Sequence, residues 1–322
     1  MVAILSVTAF VAVFALPLVP GLFELARPRD NSGLPIALNY SRDPRFFSQS
    51  FRVKIAVLCE SRAFGRARFL DRRNEDAILG KRPCLAPNSR TTDVQIANER
   101  LICGAGATMT DGYGGKSISC GEEVAARTLC SDGAVVLGDR CSVERWIDAE
   151  SSLDVGNDCY LGMSASSGGF VTLGGGVEFE RVYGERVTVR SAGEAPSPKP
   201  TKDAIVLRER DIAKGPDIIV RGDAVVLEGT LLDASIKAHG SLFIERGVRI
   251  TGNAIARGEL VLLDGGVIEG HAFGERGLFL GVNTRIGVPG QRKTAYTAGN
   301  AMLCNGATVH GWIVSEQGGW SA

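Results

Sequence analysis

Segments around Leu137-Gly138, Val155-Gly156 and Leu173-Gly174 recur about every 18 residues, and this internal repeat limits the possible fold more than any other feature of the chain. The register holds at several positions together. Val135, Leu153 and Val171 correspond, as do Cys141, Cys159 and Val177, and Val143, Leu161 and Phe179. A step of about 17 residues carries the array back through Cys120-Gly121, with Val124 and Ala126, and then through Cys103-Gly104, with Ala107 and Met109. A first array is therefore expected over residues 99–190.

Within each repeat, apolar residues alternate with polar or small ones, as around Leu137, Cys141 and Val143, which is the two-residue period of a strand. A unit of about 18 residues is too short for a strand, a crossover helix and a return. It suits three short strands joined by tight corners, with glycine where the chain bends. The expected fold class is all-β, a β-helix (solenoid) of ~18-residue coils. Coils stack about 4.8 Å apart, so equivalent inward side chains form ladders, which cysteine and β-branched residues fill well.

A Pro-, Ser- and Lys-rich stretch at 191–204, SAGEAPSPKPTKDA, reads as a linker or insertion. The repeat then resumes over 205–318. Leu242, Leu260 and Leu278 correspond, as do Ile244, Leu262 and Leu280, and Ile250, Ile268 and Ile286, with Gly252 and Gly270 at a corner. Val225 and Leu227 fit one coil earlier with a one-residue slip, and Leu303 to Ile313 supplies a terminal coil after the irregular stretch GVPGQRKTAYTAGN. Two runs of about five coils would stack to roughly 50 Å if continuous.

The N-terminus carries a different signal. Val2 to Val19 contains no charged residue and only Ser6 and Thr8 as polar ones, long enough as a helix to cross most of a bilayer core. Residues 1–22 are therefore read as a transmembrane anchor. A cleaved signal peptide is the competing reading, but there is no basic n-region and no small-x-small cleavage pattern ahead of Pro17 and Pro20. Arg27, Arg29, Arg42 and Arg45 flank the segment on its C-terminal side, which places the bulk of the chain in the cytoplasm, as a single-pass protein of the inner membrane. Residues 23–98 form a juxtamembrane region without a legible fold; its basic segment, Arg62 to Arg73, reads as a solvated surface helix.

Hydrophobic residues make up 44% of the chain, which excludes disorder as its main state. The 36 basic and 36 acidic residues balance, and no basic stripe interleaved with aromatics suggests nucleic acid as a partner. The eight cysteines, Cys59, Cys84, Cys103, Cys120, Cys130, Cys141, Cys159 and Cys304, include no CxxC pair, so no metal site is expected. Cys141 over Cys159 has the spacing of a redox pair, although buried thiols in a reducing compartment are the simpler account.

The coils also carry a family resemblance. SIKAHGSLFIERGVRITGNAIARGELVLLDGGVIEG resembles the bactofilin, or polymer-forming cytoskeletal, repeat of bacteria. The likeness covers both arrays and extends to GATVHGWIVSEQGGW and to RWIDAESSLDVGNDCYLGMSASSGGFVTLGGGVEFERV, which resemble longer bacterial polymer-forming proteins with an N-terminal membrane segment. The resemblance implies a right-handed, non-catalytic scaffold that self-assembles end to end without nucleotide, associates with the inner membrane and positions envelope or polysaccharide machinery. The chain differs from small bactofilins in its apolar N-terminus, its two arrays and the long segment before the first coil. The last coil of any β-helix exposes unpaired backbone groups, so its ends either cap or assemble. Trp312 and Trp320, near the C-terminal end, suit either role.

Two other readings stand beside this one. Hexapeptide acyltransferases are also β-helical, and VGNDCYLG mimics one hexapeptide, but the Leu/Val-Gly pair recurs every ~18 residues and not every six. Such an enzyme needs a positioned base. The three histidines, His239, His271 and His310, lie at corner-like positions beside glycine and read as solvated turn residues. GYGGKS at 112–117 lacks the first glycine of a phosphate loop, with Thr110 in its place, and reads as a corner. GMSAS at 162–166 lacks the closing glycine of a nucleophile elbow, which leaves Ser164 an ordinary coil residue. No catalytic residue, cofactor or nucleotide is expected. The remaining alternative is an exported surface or polysaccharide-binding solenoid, released by signal cleavage.

Overall fold

A computed structural model describes residues 43–61, 65–68, 76–190, 198–200, 203–207 and 217–322. The apolar segment Val2 to Val19 and most of the basic segment Arg62 to Arg73 lie outside the described residues. Among those described, no helix is long and apolar enough to cross a membrane. The compact unit Pro44–Ala322 is an all-β solenoid of about 13 turns with coils of ~18 residues.

The ladders expected from the repeat are present. Val135, Leu153 and Val171 are register partners in adjacent parallel strands, as are Leu137, Val155 and Leu173. Cys103, Cys120 and Leu137 continue that second ladder upstream through the 17-residue steps. In the second array Leu242, Leu260 and Leu278 align, as do Ile250, Ile268 and Ile286. These side chains are almost wholly buried in one continuous core. Burial of each Leu, Ile or Val contributes about 1.5–3 kcal/mol relative to exposure, so the stack is held by many similar increments.

Most coils turn one corner through a left-handed residue. The series runs Asn88, Gly106, Glu123, Arg140, Asp158 and Gly176 in the first array, and Gly229, Gly247, Gly265, Asn283 and Gly306 in the second. Glycine adopts this conformation at no steric cost, whereas Glu123 and Arg140 are held there by amides that donate to the Asp139 and Asn157 carbonyls of the next coil. The longer step before Gly306 accommodates the irregular stretch, where Val288 bridges Gln291 in a small side loop.

Three boundaries differ from the sequence reading. The parallel ladder begins at strand Asp76–Gly80, paired to Val94–Ala97, so coils reach back into the segment assigned to the juxtamembrane region of 23–98. Gly65–Arg68, within the basic segment read as a helix, is a strand that pairs antiparallel with Asp76–Gly80. The one-residue slip at Val225 and Leu227 is absent: Ala224 aligns with Leu242 and Val226 with Ile244. The run Ala224–Leu227 is apolar at every position, so alternation alone could not choose its register. Val225 instead joins an outer apolar ladder with Phe243, Val261 and Phe279, against which Leu227 packs.

The two arrays meet tail to tail. Strand Glu178–Val189, the last of the first array, pairs antiparallel with Thr308–Ser321, the last of the second. Each also pairs in parallel with its own array, Glu178–Val189 with Phe170–Leu173 and Thr308–Ser321 with Lys293–Thr297. The chain therefore leaves the seam after Val189 and begins the second array at the opposite end, at Ile205–Leu207. Six strand spacings separate those points by roughly 29 Å, and the intervening segment reaches up to about 50 Å when extended. The stretch at 191–204 thus has the length that this reversal requires.

Candidate functional site

Three features beyond the coil core can bear function: the seam, the helix laid on the first array, and the free end of the second array. The seam is apolar at its centre and hydroxyl-rich at its margin. Val182 faces Ile313, Tyr183 faces Trp312, and Thr188 faces Thr308, whose side-chain oxygens lie 3.3 Å apart. Ser321 locks the far end: its Oγ donates to the Gly174 carbonyl at 2.6 Å and accepts from the Val177 amide at 3.0 Å. Arg292 lies over the Tyr183 ring at 5.5 Å. Trp312 and Trp320 are thus neither end caps nor free aromatics. Both belong to the joining strand, with Trp320 opposite Glu178 on one side and Met302 on the other.

Helix Phe46–Ser61 follows Pro44, which suits a helix start, and places Phe51, Ile55 and Leu58 on one face. That face covers an outward ladder of the first array comprising Ile96, Tyr113, Cys130 and Asp148. Asp148 is fully buried beneath it. Its two oxygens accept from Arg45 at 2.8 and 2.9 Å, and it also receives Arg52 at 2.6 Å and the Ser166 hydroxyl at 2.6 Å. Burial alone would raise the Asp148 pKa, but Arg45, Ser166 and Arg52 together hold it below the usual carboxylate value. Arg52 also reaches Asp132 at 2.7 Å, and Asp132 accepts the Tyr113 hydroxyl. The sequence signalled none of this, because 103 residues separate Arg45 from Asp148.

The second array begins with an edge. Among the described residues, Ile205–Leu207 pairs only with Ala224–Val226, and Asp217–Val220 only with Ser235–Ala238. Ile205, Val206 and Ile219 are exposed there, Ile219 at 65%. The first array's outer end differs, since Gly65–Arg68 pairs with its first strand.

The histidines are scattered over separate coils. His271 Nδ1 accepts the Thr294 amide at 3.0 Å, and burial followed by Lys293 lowers its pKa. His310 is buried at the seam, where burial lowers its pKa, a hydrogen bond to the Glu185 backbone raises it, and Arg285 and Arg186 lower it further. Among the described residues, neither is brought to a carboxylate in the manner of a general base. His239 follows the strand Ser235–Ala238 at a corner. Ser164 opens a coil strand opposite Trp146, and Gly115 and Lys116 make the corner expected within GYGGKS.

All eight cysteines are free thiols. Cys141 and Cys159 sit one above the other and donate to the carbonyls of Gly121 and Gly138 at 3.1 and 3.2 Å. A hydrogen bond with Cys103, reinforced by burial, holds the Cys120 pKa well up, and burial pushes Cys304 up to about 11. Both remain protonated at neutral pH. Among the described residues, no group of three or more His, Cys, Asp or Glu side chains is placed to hold a metal ion.

Fold and surfaces together define the class, an all-β solenoid with two arrays joined at their C-terminal coils. Comparison with protein-family models, curated proteins and solved structures finds no match.

Proposed function

We propose that this chain is a non-catalytic, bactofilin-like scaffold of the bacterial inner membrane, held by residues 2–19 with its solenoid in the cytoplasm, which self-assembles or positions envelope or polysaccharide machinery. The observation that carries the reading is the seam. Within one molecule, a terminal coil of this repeat is completed by another terminal coil through antiparallel pairing of Glu178–Val189 with Thr308–Ser321. The edge at Ile205–Leu207 and Asp217–Val220 presents the same kind of surface, unpaired on one side among the described residues. Unpaired strand edges with exposed apolar side chains favour association with a like edge. The coils act as a rigid rod, and the apolar N-terminal segment supplies the tether.

The test is sedimentation velocity with negative-stain microscopy on the full-length chain in detergent, without nucleotide, beside Ile219→Lys. Assemblies that grow with concentration and shrink in the variant are expected. A monomer at every concentration would overturn self-assembly. Membrane fractions should contain the chain with Val2 to Val19 intact, and recovery of a cleaved, exported form would overturn the anchor.

A further inference from the structure

The seam opens on one side into a groove of about 800 Å³, with walls from both arrays. Its floor is a row of hydroxyls, Thr172, Thr188 and Thr308, successive register partners across the junction. Arg285 extends the same row, as the partner of Thr308 on the second array's side. Arg186, Arg190 and His310 add further cationic or titratable groups, Asn283, Thr284 and Asn305 are also polar lining residues, and no carboxylate is among them. Arg190 contacts Asp154 at 3.3 Å on the exposed margin, and Arg186 lies over the Phe170 ring at 4.7 Å.

Two observations mark this concentration of positive charge as a recognition site. The Arg285 Nε is buried and has no hydrogen-bond partner among the described residues, a state that buried guanidinium nitrogens rarely adopt unless a ligand or water completes them. The second is the gathering of like charge around His310, whose protonation Arg285 and Arg186 both oppose. Arg186 and Arg285 line the same groove as His310, and the hydrogen bond to the Glu185 backbone favours its protonated form. Several arginines elsewhere carry carboxylate partners, as Arg127 does with Asp111, Arg249 with Glu269, and Arg140 with Glu122 and Glu123.

The geometry points to an anion-binding site at the seam, in which Arg186, Arg285 and His310 receive the phosphate or carboxylate groups of a small polyanionic ligand while Thr172, Thr188 and Thr308 hydrogen-bond its oxygens. Guanidinium groups suit this chemistry because their planar donors match both anions. The volume fits a molecule with more than one charged group better than a single ion. Because the walls belong to different arrays, the bound ligand braces the junction. This site stands independently of the proposed self-assembly and does not require it.

Isothermal titration of the full-length chain with pyrophosphate, and separately with trigalacturonate, tests the site and tells a phosphate ligand from an acidic sugar. Saturable one-to-one binding of either probe is expected, weakened at least tenfold by Arg285→Gln and by Arg186→Gln. In the wild type, binding should also raise the His310 pKa followed by NMR, a readout that loss of folding cannot mimic. Arg186→Gln, on the exposed rim, guards against misfolding of the Arg285 variant; each is checked by its thermal transition. Absence of saturable binding for both probes, or binding unchanged in both folded variants, would overturn the proposal.

Discussion

Tyr183 and Trp312 meet edge to face across the seam, ring centroids 5.3 Å apart and inclined at 73°, although one closes the first array and the other the second. Aromatic pairs in this geometry contribute about 0.5–1.5 kcal/mol beyond the area they bury. They sit beside Val182 and Ile313, both almost fully buried, so the junction has an apolar centre of its own.

Truncating that centre should uncouple the arrays. Ile313→Ala is expected to cost about 2–5 kcal/mol, the usual range for a buried Ile lost to a cavity. Because coils interact chiefly with their neighbours, urea unfolding followed by circular dichroism should then separate into two transitions. A single transition at the wild-type midpoint would show that the seam does not couple the arrays.

Asp148→Asn should loosen the helix. It leaves Arg45 and Arg52 facing a neutral amide, although Glu150 and Asp132 still engage them, so a loss near the lower end of the range for broken buried pairs, about 3 kcal/mol, is expected. Hydrogen exchange should rise across Phe46–Ser61 and remain low in the distant second array. The wild type should show a related pH effect. Since the folded Asp148 pKa lies below its unfolded value of about 4, its contribution is full above that pH and is lost as pH falls through the folded value. Exchange protection of the helix that is equal at pH 3 and pH 7 would contradict this.

Corner glycines should divide by what lies above them. A Cβ on Gly133 would stand 1.9 Å from the Lys116 carbonyl oxygen of the neighbouring coil, whereas one on Gly222 would meet nothing within 4 Å. Gly133→Ala is expected to destabilise by more than about 2 kcal/mol, since backbone must move. Gly222→Ala should be neutral or stabilising by up to about 1 kcal/mol through the unfolded chain. Thermal melts of the two variants check the contrast, and equal shifts would refute it.

The sequence made the ladders readable where inward residues repeat at fixed spacing with polar neighbours, as at Val135, Leu153 and Val171. It failed where outward positions are apolar as well. Ile96 and Val225 lie under other structure, so alternation blurred just where a second layer was added. The early coils were further hidden by Pro83 and Pro87 in their corners. The tail-to-tail order could not be read because each array's register is internal and carries no information about which ends meet. The groove escaped for the same reason: its arginines come from different arrays, and only the antiparallel seam makes Arg186, Arg285 and His310 neighbours.

The reversed second array also imposes a timetable on synthesis. Thr188 and its seam partner Thr308 are separated by 120 residues of chain. At about 5–20 residues per second, the first array waits roughly 6–24 s after its final strand is made before the strand that covers it emerges. During that interval its last apolar coil is an open edge on the ribosome, and on a polysome it is an open edge beside others like it. Rapid arrival of Thr308–Ser321 therefore decides between a closed molecule and a premature pairing of nascent chains.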